Sequence, residues 1–355
     1  MPWWSYAPRS PPSPGTPPTP DDKEPIMART PEVLDAPLDQ LLTVETDNGV
    51  LFKACLGVAL FFTGSQQEEK RQAVLEILAD YRDLVGDQLT WTTNPSTGKW
   101  KKLHGFDSYI TPFNWLPSYG EGEWEFDYHG GQRRSDADDH GFVVLGKLPV
   151  VEERGQLSRL YFQFPIDLFI EREQKLPALV QRWCDKLKPE HGYAGFWLGQ
   201  SYGYEETDEA AILEYKFGQR FPGLQVNEFT EHSLNLHRGL KGVDWLTILS
   251  DRYLERLGGL ERVKAEMGEL PVLEYDGGAI LRAGSMPQLG DSEHPEANAA
   301  LADYRHVASI IEPVRIKDHP GIHAPLSPSY RHEKWFDDAA YQAWLARFSP
   351  QGDVP

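Results

Sequence analysis

Apolar residues near the start of the folded region form two different patterns, a continuous run and a helical spacing. Val50 to Phe62 reads VLFKACLGVALFF, a nearly continuous apolar run of strand length. Asp47-Asn48-Gly49 precedes it, and Asn-Gly between strand-like runs favours a tight hairpin because both central residues of that turn need a positive φ. Further on, apolar residues recur at helical spacing at Val74, Leu78, Tyr81 and Val85. This spacing predicts an amphipathic helix over 66–85 that packs on the hairpin, with Ser65 to Glu68 as its capping box.

The second half of the chain also alternates between strand-like and helical patterns. His191 to Gly199 is a glycine-studded strand candidate, and Leu246, Leu249, Tyr253 and Leu257 share one helical face. We therefore expect a helix that begins at Asp244 as N-cap and ends at Gly258 as a left-handed residue. Because tight hairpins recur, the sequence predicts an α+β fold, with largely antiparallel sheet and amphipathic helices packed on its faces.

Composition changes abruptly along the chain. Residues 1–30 are proline-rich, which indicates a disordered tail, a docking ligand for an aromatic groove, or an upstream extension of a chain that starts at Met27. Residues 31–320 are expected to form the main folded region, and its length leaves the number of domains open. Residues 321–355 are expected to be a C-terminal extension with a short helix within 335–348.

Charge and cysteine usage narrow the function classes. The 355 residues carry a net charge of −19 at neutral pH, which disfavours direct binding to nucleic acid or to an anionic membrane and favours a basic protein partner. Cys55 and Cys184 lie far apart in apolar segments, as expected of buried thiols in a reducing compartment. The sequence shows neither a signal-peptide run nor an apolar run of membrane-spanning length, so we expect a cytoplasmic protein.

The sequence lacks the common short motifs of nucleotide binding and catalysis. It has no phosphate-binding glycine loop, nucleophile elbow or zinc-protease motif. The carboxylates of Asp136, Asp138 and Asp139 beside His140 are ligand types for a divalent cation, but they lack the spacing of a calcium loop, so a solvated acidic loop is favoured. An enzyme that acts on a small substrate with His191 or His306 as general base remains the alternative hypothesis.

Several short motifs carry a family resemblance. They are Arg220-Phe221-Pro222-Gly223-Leu224, the run from Gly239 to Thr247 (GLKGVDWLT), Leu257-Gly258-Gly259, the run from Arg282 to Asp291 (RAGSMPQLGD), and Tyr304-Arg305 before Pro313-Val314-Arg315. In this order they resemble the type VI secretion immunity family labelled TsiV. The resemblance covers residues 40 to 318, and Asp244 stands where that family usually has Asn. The chain after Lys317 lies outside it.

The resemblance implies a cytoplasmic protein that binds and blocks a toxin delivered by sibling cells, sometimes a nuclease. It implies no catalytic residues, no cofactor, no metal, and one tight partner, an effector toxin encoded by the adjacent gene. It also implies that the motif residues stabilise the fold and do not bind the toxin. These residues are Phe221, Pro222, Gly223, Gly242, Asp244, Trp245, Leu246, Thr247, Gly258, Gly259, Gly284, Pro287 and Gly290.

Toxin binding is expected instead on acidic segments that contain aromatic residues, because interfaces use aromatic anchors and charges steer encounter. The candidates fall in three loops. They are Glu121, Glu123 and Trp124; Asp136, Asp138 and Asp139; and Tyr202, Tyr204, Glu205 and Glu206.

Overall fold

The apolar run from Val50 forms the central strand of one large sheet. The structure is a computed structural model that describes residues 43–46, 49–94, 99–103, 116, 118–170, 175–200, 207–330 and 332–349. The strands are β1 (Val44–Thr46), β2 (Gly49–Phe62), β3 (Trp91–Thr93), β4 (Trp100–Lys102), β5 (Trp124–His129), β6 (Gly141–Gly146), β7 (Ser158–Phe164), β8 (His191–Gln200), β9 (Leu246–Ser250), β10 (Val272–Tyr275) and β11 (Gly278–Arg282).

These 11 strands form one sheet in the order β10-β11-β9-β8-β2-β7-β6-β5-β3-β4, and β1 pairs with the start of β2. Each of these strand pairings is antiparallel, which confirms the predicted α+β fold. The antiparallel pairing of β1 with β2 agrees with the hairpin, although Asp47 and Asn48 of its turn lie outside the described residues.

Helices cover both faces of the sheet. They are α1 (Glu68–Val85), α2 (Pro149–Glu152), α3 (Ile166–Ile170), α4 (Lys175–Leu187), α5 (Thr207–Arg220), α6 (Phe229–Asn235), α7 (Asp251–Arg256), α8 (Leu260–Met267), α9 (Ala302–Ile311) and α10 (Asp338–Leu345). On one face Tyr81 of α1 and Trp183 of α4 both contact Phe162 of β7. In the described part of the chain, no helix combines the length and the apolar character that a membrane crossing requires.

Strand β2 is buried on both faces, which explains its continuous apolar sequence. Successive side chains of a strand point to opposite faces. Leu56, Val58 and Leu60 therefore join the core beneath α1 and α4, whereas Cys55 and Phe61 join a second core. That second core includes Phe336, Tyr341, Trp344 and Leu345. The C-terminal helix α10 thus packs on the central strands.

The helix predicted from Asp244 is wrong. Residues 246–250 are strand β9, which pairs with β8 on one side and β11 on the other, and the helix α7 begins only at Asp251. The expected end at Gly258 is confirmed, because α7 stops at Arg256 and Gly258 has φ +95°. The predicted capping box at Ser65 is also wrong, since α1 begins at Glu68 after Gln67 and Ser65 donates instead to the Lys147 carbonyl.

Candidate functional site

Asp244 lies in a buried turn before β9, where its side chain organises the backbone. The Trp245 N–H donates to Asp244 Oδ1 over 2.7 Å, and the Asp244 N–H donates to Thr247 Oγ1 over 3.2 Å. The carboxyl group presses on β8, because a Cβ added to Gly195 would lie 1.9 Å from Asp244 Oδ1. Asp244 therefore does not cap a helix, as predicted, but stabilises the turn in which it lies.

Two basic side chains, the buried Lys241 and the half-buried Arg347, interact electrostatically with this carboxyl group. Burial raises the pKa of Asp244 to about 7, although the Trp245 N–H and the charges of Arg347 and Lys241 lower it. Burial lowers the pKa of Arg347 to about 9 and that of Lys241 well below its usual range, and in both cases Asp244 opposes the change. The electrostatic attraction between the acid and the two bases thus offsets part of the cost of burying their charges.

Lys241 belongs to a buried polar network that joins the sheet to the C-terminal helix. Its ammonium group donates to Asn227 Oδ1 over 3.0 Å, and Tyr193 donates to the same oxygen over 2.9 Å. His232 Nε2 lies 2.7 Å from the Tyr341 hydroxyl. Each of these five residues is at most 3% exposed, so their polar groups contact the protein interior and not solvent.

The other family-like motifs meet in internal contacts. The Gly223 N–H donates to the Leu289 carbonyl over 2.6 Å, which joins the motif around Pro222 to the motif that contains Pro287 and Gly290. Trp245 Nε1 donates to the Gly284 carbonyl over 3.3 Å. Phe221, Trp245, Leu246 and Thr247 are buried, and Gly242 is half-buried. Gly259 begins α8.

The histidines of the enzyme alternative do not share a site. His191 is 1% exposed, stacks on Phe61 and donates through Nε2 to the Leu236 carbonyl, and burial lowers its pKa to about 3. His306 is exposed on α9 and donates to the Glu266 carbonyl. Neither arrangement offers an accessible base beside a second reactive group among the described residues.

The Asp136–Asp139 loop is not the solvated loop that the sequence suggested. Asp136 is 5% exposed and accepts from Arg133 Nε over 3.1 Å, and Asp139 is 9% exposed with Lys53 Nζ at 2.9 Å. Although burial opposes it, hydrogen bonds to Asp138 and Asp139 raise the pKa of His140 to about 9. Arg133 and His140 of the loop and Lys53 of β2 therefore pair with these carboxylates, and little of the loop's negative charge faces solvent.

This cluster has the atoms that a metal ion would need. Asp138, Asp139 and His140 each place one ligand atom within 4.8 Å of the others. Lys53 already reaches both carboxylates, at 3.8 Å from Asp138 and 2.9 Å from Asp139. The arrangement is that of an ion-paired loop docked on β2.

The segment before β5 differs from that loop in exposure. Tyr119 is 65% exposed, and Glu121 and Glu123 are exposed. Trp124, expected to be a surface anchor, is 1% exposed and packs over Gly146, where an added Cβ would lie 2.1 Å from Trp124 Cε2. The exposed aromatic side chain of this segment is therefore Tyr119 rather than Trp124.

Sequence reasoning missed two further carboxylates on β5. Glu125 is exposed and Asp127 is half-buried, and both lie on the face of the strand opposite Trp124 and Phe126. The signal was present in the sequence EWEFDY, because acids and aromatics alternate there with the period of a strand. The third candidate segment, with Tyr202, Tyr204, Glu205 and Glu206, lies outside the described residues.

Comparison with known proteins decides the family. A model for TsiV, described as type VI immunity for VRR-NUC, matches residues 73–348. The chain belongs to the TsiV family. No match was found among curated proteins.

The TsiV match runs from α1 to beyond α10, so it includes the C-terminal helix that the sequence motifs left outside. Three solved chains also match in structure. One of them is the Pseudomonas aeruginosa T6SS protein PA0821, with 22% sequence identity, a TM-score of 0.80 and 94% of each chain covered. The fold is therefore shared with a protein of a type VI secretion system.

Proposed function

We propose that this protein is the immunity partner of a type VI secretion effector with a nuclease domain of the VRR-NUC kind. The observation that carries the proposal is the TsiV match over residues 73–348, because that family is described by this role. We expect the effector to be encoded by the adjacent gene and to meet this protein in the cytoplasm, where a nuclease finds DNA.

The proposed mechanism is binding rather than chemistry. The protein covers the active site or the substrate entry of the toxin domain and forms a stoichiometric complex. The sealed positions of Lys241 and His232 support this mechanism, since their polar groups serve the interior. The net charge of −19 supports it as well, because it opposes competition for DNA and favours encounter with a basic domain.

Protection in cells tests the proposal. The toxin domain is expressed from an inducible promoter in a sensitive bacterium, with this protein, without it, or with this protein fused to an export signal. Growth and intact chromosomal DNA are expected only when the protein stays in the cytoplasm, together with a co-purified complex. Growth arrest despite abundant soluble protein, with no complex recovered, would reject the proposed role.

A further inference from the structure

One surface of the described chain combines exposed carboxylates with exposed apolar side chains. It consists of Tyr119, Glu121, Glu123, Glu125 and Val150, and is called the β5 surface below. Tyr119 is 65% and Val150 49% exposed, and they are two of the three large apolar side chains that stand out as exposed in the described residues. We propose that the β5 surface is where this protein binds a positively charged, phosphate-binding face of the effector's toxin domain.

Contacts of Gln66 join the two segments that carry Tyr119 and Val150. Gln66 Nε2 donates to the Gly122 carbonyl over 3.1 Å and to the Lys147 carbonyl over 3.2 Å. Tyr119 precedes Gly122 by three residues, and Val150 follows Lys147 by three. The ends of β5 and β6 thus hold both side chains at the same end of the sheet.

This end of the sheet is held by partly buried hydrogen bonds. The Gly120 N–H donates to Gln66 Oε1, and Gln66 itself is 2% exposed. Glu152 of α2 accepts from the Gly64 N–H over 2.7 Å and from Ser158 Oγ over 2.7 Å. A surface held in this way loses little conformational entropy when a partner binds.

Charge on the β5 surface faces solvent, in contrast to the Asp136–Asp139 loop. Glu123 directly precedes β5 and Glu125 is the second residue of the strand, so their Cα atoms are about 7 Å apart in an extended chain, and their side chains are 37% and 49% exposed. Their partners Lys147 and Arg159 are only 13% and 8% exposed. A partner that approaches this surface meets carboxylates before it meets cations.

The occupant follows from charge complementarity and rests on the proposed function. A nuclease domain must attract phosphates, so it presents lysine and arginine side chains around its substrate path. The exposed carboxylates of Glu123 and Glu125 offer acceptors to those cations, and Tyr119 supplies the amphipathic anchor that interfaces favour. Binding there would also cover the path that nucleic acid takes.

Kinetics of binding to the purified toxin domain test the proposal. One variant combines Glu121→Gln, Glu123→Gln and Glu125→Gln, and a matched control combines Glu255→Gln, Glu261→Gln and Glu269→Gln, which are exposed on and beside α7 and α8. Both variants remove the same charge. The first should lower the association rate constant by on the order of tenfold at low salt and weaken its salt dependence, whereas the control should bind like the wild type.

Tyr119→Ala provides an independent measurement, because an exposed side chain can be removed without loss of folding. It should raise the dissociation rate constant by on the order of tenfold and leave association unchanged. Wild-type binding that neither the first variant nor Tyr119→Ala alters would overturn the β5 surface and leave the immunity role standing. A wild-type protein that does not bind the toxin domain at all would overturn both.

Discussion

The backbone N–H of Trp245 donates a 2.7 Å hydrogen bond to Oδ1 of Asp244, a fully buried residue. The Gln225 side chain, which donates to the Val243 carbonyl over 3.2 Å, also lies beside this carboxyl group. Asp244 therefore serves as a hydrogen-bond acceptor for its turn. An Asn side chain provides the same acceptor without a charge.

Asp244→Asn should change how stability depends on pH. Burial raises the pKa of Asp244 to about 7 from an ordinary value of 3.8. The folded state therefore binds the extra proton between those values, so the stability contributed by Asp244 declines as pH rises through this window. Relative to the wild type, the variant should gain stability between pH 4 and pH 8, by at most about 4 kcal/mol.

Chemical denaturation of both proteins from pH 4 to pH 8 measures this difference. Other buried groups such as His191 cancel in the comparison because they are common to both proteins. Arg347 and Lys241 lose a counter-charge in the variant, which reduces the gain. A difference in unfolding free energy that stays constant across the range would contradict the assigned ionisation of Asp244.

Gly195→Ala should destabilise the protein, because the added Cβ would meet Asp244 Oδ1 at 1.9 Å. Gly195 is fixed in β8 and Asp244 in the buried turn before β9, so the clash should cost about 1–3 kcal/mol or more. Gly242→Ala is the matched control, because its nearest neighbour is the Leu345 carbonyl oxygen at 3.6 Å, an ordinary contact distance. Equal midpoints of urea unfolding for the two variants would contradict the close packing of β8 on Asp244.

Tyr341→Phe should weaken the attachment of the C-terminal helix. The change removes the hydroxyl group that lies 2.7 Å from His232 Nε2, and leaves a buried nitrogen without that partner. The expected cost is about 1–3 kcal/mol. Tyr119→Phe removes a hydroxyl from a side chain that is 65% exposed and should leave the unfolding midpoint unchanged. Wild-type stability for Tyr341→Phe would argue against this hydrogen bond.

His140→Gln should cost more stability at low pH than at high pH. Hydrogen bonds to Asp138 and Asp139 outweigh burial and raise the pKa of His140 from 6.5 to about 9. The charged imidazole thus contributes stability that is fully present below pH 6.5 and is lost as pH rises through 9, up to about 3 kcal/mol. Unfolding measured at pH 6 and pH 9.5 should show the gap between variant and wild type closing. A gap that widens would reverse the assignment.

The sequence predicts strands that have a clear local pattern, but it does not show which distant residues become neighbours in the fold. The apolar run of β2 predicts that strand, and the alternation EWEFDY predicts β5. A helix was wrongly predicted for residues 246–257 because the spacing of Leu246, Leu249 and Tyr253 also fits a helix. The strands that pair with β9 come from distant parts of the chain, so the local pattern does not reveal them. Likewise Asp139 looked solvated because its partner Lys53 lies far away in sequence.

A titration of the effector's nuclease activity tests the central claim most directly. Purified toxin domain at a concentration well above the dissociation constant of the complex is mixed with increasing amounts of this protein, and cleavage of DNA is measured. Immunity by binding predicts that activity falls linearly and reaches zero at one equivalent. Full inactivation far below one equivalent, or full activity in excess protein, would contradict it.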